Sequence, residues 1–246
     1  MAGAVYDRQA AEDYRASREI PRDALDAWRD AIAETVRLGP GTTVLDVGAG
    51  TGGFAGAFHA WFGATVLEVE PAAAMRELIP VAEGIRALDG RAESLPVPDD
   101  CVDAAWLGSV IHHLSDLEAA ARELRRALKP GAPVLIRNAF PGRCGRDLRV
   151  RFFPETERLV DGYPSVERVC AAFATAGFAQ VSLRSLPQQS APTLTAFADG
   201  LRREADSKLR SLTDDVYERG LARLRAAAIA DPDEPAVSWM DLLVLS

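Results

Sequence analysis

The chain has 246 residues, 48% hydrophobic and 26% charged, proportions of a globular protein large enough for one α/β domain with an elaboration. Its 28 basic against 36 acidic side chains give a formal charge of -8, which argues against a protein that holds nucleic acid by neutralising phosphates. No apolar run nears the ~20 residues of a membrane span, and the charged stretch Met1 to Glu19 lacks the apolar centre of a secretory signal. Cys101, Cys144 and Cys170 lie far apart, match no metal-ligand spacing and read as reduced thiols of a cytoplasmic protein.

Taken in chain order, 7–18 and 22–37 read as two helices, with Pro21 near the start of the second. Strands and helices then alternate. Strands are expected at 42–47, 64–69, 85–88, 102–107 and 134–137, with helices over 51–62, after Pro71, and over 116–128. Ser115 is the expected cap of the last, whose Leu117, Ala120, Ala121, Leu124 and Leu128 recur at helical spacing. This rhythm predicts a parallel, doubly wound sheet. Beyond it come an Arg-rich connection (138–163), a helix over 165–176 stopped by Gly177, and a strand over 181–186. Two helical stretches (193–212 and 214–230) and a final apolar strand (236–245) complete the chain.

The first strand runs through Val44, Leu45, Asp46 and Val47 straight into Gly48-Ala49-Gly50-Thr51-Gly52-Gly53. A buried strand, a glycine turn and a helix start form a nucleotide-binding device, because without Cβ atoms the backbone turns tightly and approaches a ligand closely. Gly48, Gly50 and Gly53 fit G-x-G-x-x-G, and Glu70 follows twenty residues after Gly50, where an acid would grip a ribose diol. By spacing alone a dinucleotide is as admissible as any other adenosine cofactor.

Four further stretches resolve the ambiguity. They are Glu70-Pro71 with Met75, Ala92-Glu93-Ser94-Leu95-Pro96 with Val102-Asp103, Ile111-His112-His113-Leu114, and Leu128-Lys129-Pro130-Gly131. With 44–52 and in this order, they resemble the class I S-adenosylmethionine-dependent methyltransferases, specifically the small-molecule enzymes related to those of ubiquinone and biotin pathways. The resemblance implies a Rossmann-like seven-stranded sheet, mostly parallel with an antiparallel last strand. A helical N-terminal cover (1–38) and a helical lid (187–233) between the last two strands would complete a core of 39–186 and 234–246.

It also implies roles. Gly48, Ala49, Gly50 and Gly52 would shape the loop under the cofactor's methionine moiety, with Asp46 approaching its amino end. Glu70, beside Pro71, would accept from both ribose hydroxyls. Ala92 would offer its N–H to adenine with Glu93 nearby. Arg91 stands where the family often has a hydrogen-bond acceptor and cannot accept, though it could stack on the ring. Gly108 and Ser109 would lie beneath the sulfonium, and Tyr14 or Arg18 would reach the cofactor's carboxylate. Glu68 departs from the small residue usual two places before the ribose acid, and strand alternation puts it on Glu70's face.

His112 and His113 are the base candidates, whereas His59 reads as structural. In-line displacement at a sulfonium needs mainly alignment in a dry pocket, so no base is strictly required. Arg143, Arg146, Arg149 and Arg151 read as a solvated loop or an attractor of acidic substrates. The expected protein is a monomer or homodimer that turns S-adenosyl-L-methionine into S-adenosyl-L-homocysteine on a small-molecule substrate, away from membranes. A nicotinamide-dependent oxidoreductase, or a cofactor-binding module without methyl transfer, are the alternatives.

Overall fold

A computed structural model describes Arg8, Gln9, Ala11, Glu12, Arg15 and residues 22–246. Its frame is a seven-stranded sheet of β1 Thr43–Val47, β2 Thr65–Val69, β3 Ile85–Leu88, β4 Ala104–Gly108, β5 Val134–Asn138, β6 Gln180–Ala191 and β7 Ala236–Leu245. Their order is β3-β2-β1-β4-β5-β7-β6. Neighbours among β1 to β5 pair in parallel, and β7 runs antiparallel to both β5 and β6. The sheet is therefore the mostly parallel, Rossmann-like one expected, with its antiparallel last strand beside the sixth.

The helices are α1 Asp26–Thr35, α2 Ala55–Phe62, α3 Ala73–Arg76, α4 Leu117–Ala127, α5 Leu148–Phe152, α6 Glu157–Asp161, α7 Val166–Ala174, α8 Leu194–Gly200, α9 Ser207–Arg210 and α10 Asp214–Ala230. Strands covered on both faces need continuous apolar runs, and Ala104 to Leu107 and Val134 to Ile136 are fully buried. One face packs Trp28, Ile32 and Phe58 of α1 and α2 against Trp106 and Leu135. Trp106 sits in an aromatic cluster, edge-on to Trp28 at 6.2 Å and to Phe58 at 5.4 Å. The other face buries the apolar stripe of α4 and α7.

Several boundaries differ from expectation. Asp116, not Ser115, caps α4, its carboxylate accepting from the amides of Glu118 and Ala119. Residues 51–54 are turn, so α2 starts at Ala55. The strand read as 181–186 continues to Ala191, so residues 187–191 are strand rather than the start of a lid. Pro187 is tolerated because β6 lies at the sheet edge. The Arg-rich connection contains α5 and α6, and Phe152 and Phe153 pack with Leu194, Phe197, Leu209 and Leu224 under the helices 194–230.

The four arginines of that connection are not a free basic patch. Arg149, half-buried, pairs with Asp206, Arg143 bonds Asp241, Arg151 bonds Glu234 at 2.5 Å, and Arg146 lies over the Trp239 ring. They tie the connection to the lid and to β7. Within the sheet, strand order reverses between β1 and β4. There the crevice beyond the carboxyl ends of parallel strands is the ligand position of such folds.

Candidate cofactor and acceptor site

The glycine turn follows β1 into this crevice. Gly48, Gly50 and Gly52 have φ of 72°, 59° and 80°, a region that side-chain-bearing residues enter at a cost. The amides of Gly48 and Ala49 both donate to the Val69 carbonyl, which fastens the turn to the tip of β2. A Cβ on Gly48 would collide with the Val110 side chain. Gly48→Ala should therefore destabilise the fold by about 2 kcal/mol from backbone conformation and overpacking together. An unchanged urea midpoint would remove that packing argument.

Glu70 stands at the tip of β2. Its Oε2 accepts from the Gly50 amide at 2.9 Å and its Oε1 from the Ala72 amide at 2.8 Å. Arg76 donates to the Glu70 carbonyl at 2.7 Å. Burial raises the Glu70 pKa, while the Ala72 and Gly50 amides and the Arg76 charge pull it back. Each carboxylate oxygen keeps a second lone pair, so the group suits a pair of hydroxyl donors. With three positive-φ glycines beside it, whose missing Cβ atoms leave the backbone open, this cradle fits an adenosyl ligand. Pro71 follows on the exposed turn before α3.

Asp46 and Glu68 are register partners on adjacent parallel strands, 3% and 0% exposed. Among the described residues neither Glu68 oxygen has a hydrogen-bond partner. Its Oε2 lies 2.8 Å from where a Gly52 Cβ would be. Burial, then the charge of Asp46, pushes the Glu68 pKa up to about 9. Burial and Glu70 push Asp46 to about 8. The departure seen in the sequence is thus a neutral carboxylic acid wedged beneath the glycine turn.

On the adenine side, Ala92 is buried while Arg91 turns its side chain outward, 67% exposed. Glu93 bonds the Ser115 amide and hydroxyl at 3.1 and 2.8 Å, so its carboxylate braces the 91–94 turn against the segment after β4. Asp103 belongs to the scaffold. It accepts from the Thr43 amide and from Lys129 at the amino ends of β1 and β4, away from the glycine turn. Tyr14 and Arg18 lie outside the described residues. Arg15 donates to the Leu78 carbonyl at 3.4 Å. His59 bonds the Ala64 carbonyl and is structural, as expected.

At the tip of β4, Gly108 packs on the Trp106 indole and Ser109 adopts a φ of 58°. Such a residue stores strain that its surroundings must hold. Here the Ser109 amide donates to the Arg137 carbonyl and its hydroxyl accepts from the buried Arg137 guanidinium, which also bonds Gln188. His112 lies one turn further, half-buried, its Nδ1 3.1 Å from Asn138 Oδ1 and its ring stacked on Tyr163 at 4.0 Å. His113 is the more exposed of the pair. Arg137, Asn138, Tyr163 and Gln188 were not picked out from the sequence. Two polar residues ending the apolar run Val134–Ile136 were the available signal.

Residues 45–136 match a family model described as "Methyltransferase domain". The uncharacterized methyltransferase YcgJ of Bacillus subtilis (strain 168) is 38% identical over 102 residues, 38% of this chain and 39% of that protein. The demethylmenaquinone methyltransferase of Mycobacterium bovis (strain BCG / Pasteur 1173P2) is 28% identical over 172 residues, 66% of this chain and 68% of that one. A solved structure of a putative methyltransferase from an antibiotic biosynthesis pathway of Anabaena variabilis ATCC 29413 shares the fold. Its TM-score is 0.68 at 20% identity, covering 94% of this chain and 99% of that one. Fold, glycine turn and strand-two acid together define a class I methyltransferase domain. Residues 45–136 are a methyltransferase domain by that match, and the relatives around it support a class I S-adenosylmethionine-dependent methyltransferase.

Proposed function

We propose that this protein catalyses methyl transfer from S-adenosylmethionine to a small-molecule acceptor. The observation that carries the reading is Glu70, its carboxylate fastened at both oxygens to the glycine turn and the strand-two turn yet able to accept two more hydrogen bonds. Glu70 would hold the ribose diol. The 48–52 turn would hold the methionine moiety with Asp46 near its amino end, and Ala92 would hold adenine. Arg91, exposed, would at most stack on the ring's outer edge, and Glu93 would act by bracing the 91–94 turn. Pro71 would shape the ribose side. Tyr14 and Arg18 remain proposed contacts of the cofactor's carboxylate.

When bound, this cofactor supplies an electrophilic methyl group on a sulfonium, already a good leaving group. The protein's part is to align and to exclude water. Gly108 and the strained Ser109 would floor the site, and the helices 194–230 with the N-terminal cover would close it. His112 is the base we assign, with His113 a secondary contact. The demethylmenaquinone enzyme among the relatives supports a small acceptor. The three free thiols support a cytoplasmic setting. Among the described residues no helix is long and apolar enough to cross a membrane.

Calorimetric titration with S-adenosylhomocysteine tests the reading, and no detectable binding at millimolar ligand would sink it. His112→Gln should lower kcat about 100-fold and leave affinity for that product unchanged, as expected for a lost proton acceptor. Equal kcat in both proteins would end its role as base.

A further inference from the structure

The hydrogen bonds around His112 determine which of its ring nitrogens carries the proton. Asn138 ends β5, is 1% exposed, and donates from Nδ2 to the Ala139 carbonyl at 2.7 Å. With the amide turned round, two acceptor oxygens would face each other at that distance, so Oδ1 must be the atom that meets His112. An oxygen acceptor 3.1 Å from Nδ1 requires a proton on Nδ1. The lone pair of the neutral imidazole then resides on Nε2. Tyr163 stacks on the ring at 4.0 Å and 11°, and His113 flanks it at 4.1 Å, so the plane of the imidazole is set as well.

From this geometry we infer that Asn138 is a positioning residue. It holds His112 as the Nδ1–H tautomer so that Nε2 takes a proton from the methyl acceptor. The inference rests on the methyltransferase reading above and narrows it. The acceptor belongs to the class whose attacking atom carries an exchangeable proton, a hydroxyl or an amine, rather than a thioether or tertiary amine. In the step, the acceptor's O–H or N–H bond breaks, its electron pair stays on the attacking atom, and the proton bonds to Nε2. The resulting imidazolium is held by the Asn138 oxygen at Nδ1–H and by the Tyr163 ring face.

Among the described residues, the other titratable and charged groups on the elements around His112 and Asn138 include His113, Tyr163, Arg137 and the Arg143–Asp241 pair. Asp241 faces Asn138 across the β5–β7 register, and its ion pair keeps that carboxylate matched by a cation. An unpaired carboxylate in place of Asn138 would add a charge where the neutral amide has none.

The test is two-bond 1H–15N correlation spectroscopy on the full chain, with three histidines to resolve and His112 assigned by its loss in His112→Gln. Expected are the Nδ1–H tautomer in the wild type, and a His112 titration midpoint raised by about one pH unit or more in Asn138→Asp. In Asn138→Leu the bias toward Nδ1–H should be lost, and the acid limb of the kcat profile should follow the midpoint in Asn138→Asp. The Nε2–H tautomer in the wild type, or an unmoved midpoint in a folded Asn138→Asp protein, would overturn the inference. Neither readout needs cofactor. Failure of the S-adenosylhomocysteine titration would instead overturn the methyltransferase reading, so the two failures are distinguishable.

Discussion

Replacing Glu70 by alanine should weaken binding of S-adenosylhomocysteine by a few hundredfold. Two hydroxyl donors bonded to a partly buried carboxylate contribute about 1.5–3 kcal/mol each, and ~3.5 kcal/mol corresponds to roughly 400-fold in affinity. The same change frees the Gly50 and Ala72 amides from their acceptor, so the glycine turn loses its brace along with the ligand its anchor. Glu70→Gln separates these effects. It keeps one acceptor oxygen but adds a donor pair, so it should fall between wild type and alanine. Calorimetry on all three proteins decides it, and equal affinities would refute the ribose assignment.

The second large effect is on stability and comes from Glu68. Its folded-state pKa, near 9, lies far above the ordinary 4.5, so the folded protein holds a proton that the unfolded chain releases. The associated stability is fully present below about pH 4.5 and drains away as pH rises toward 9. The slope is up to ~1.4 kcal/mol per pH unit for each such group, Asp46 included. Glu68→Met, similar in length and apolar, should be about 4 kcal/mol more stable than the wild type at pH 8. The two should draw closer at pH 5, where a buried but neutral carboxyl costs only its missing hydrogen bonds. Urea unfolding at pH 5, 7 and 8 measures the gap. Parallel curves would mean that Glu68 finds a partner or water that offsets its burial.

What could be read before any coordinates depended on how local the determining physics was. The strands from Thr43 to Asn138 and the glycine turn were legible because continuous apolar runs and a Gly-rich break report burial and turning directly. The cap of α4 was not. Ser115 and Asp116 are both good caps, and only the helix's angular position chooses between them. The extra length of β6 was hidden because Pro187 to Ala191, with a proline and two glutamines, has poor strand propensity. Pairing with β7 overrides that preference.

Within the candidate site, the nearness of Glu70 to the glycine turn was readable from spacing. Asn138 was not, since its role exists only through a histidine 26 residues away in sequence. The arginines 143–151 misled for a similar reason. Their partners Asp206, Glu234 and Asp241 lie far along the chain, and charge patterning cannot pair residues across that distance.

The placing of β7 between β5 and β6 bears on how the protein comes into being at the ribosome. Among the described residues β5 and β6 do not pair with each other, and 236–245 supply the ladder that joins them. A nascent chain that has emerged only as far as α10 thus carries an open β5 edge and a β6 without a neighbour, and cannot close its sheet. Closure of the sheet must wait for residues 236–245 to emerge, and chaperones that shield unpaired edges are the expected attendants of that interval.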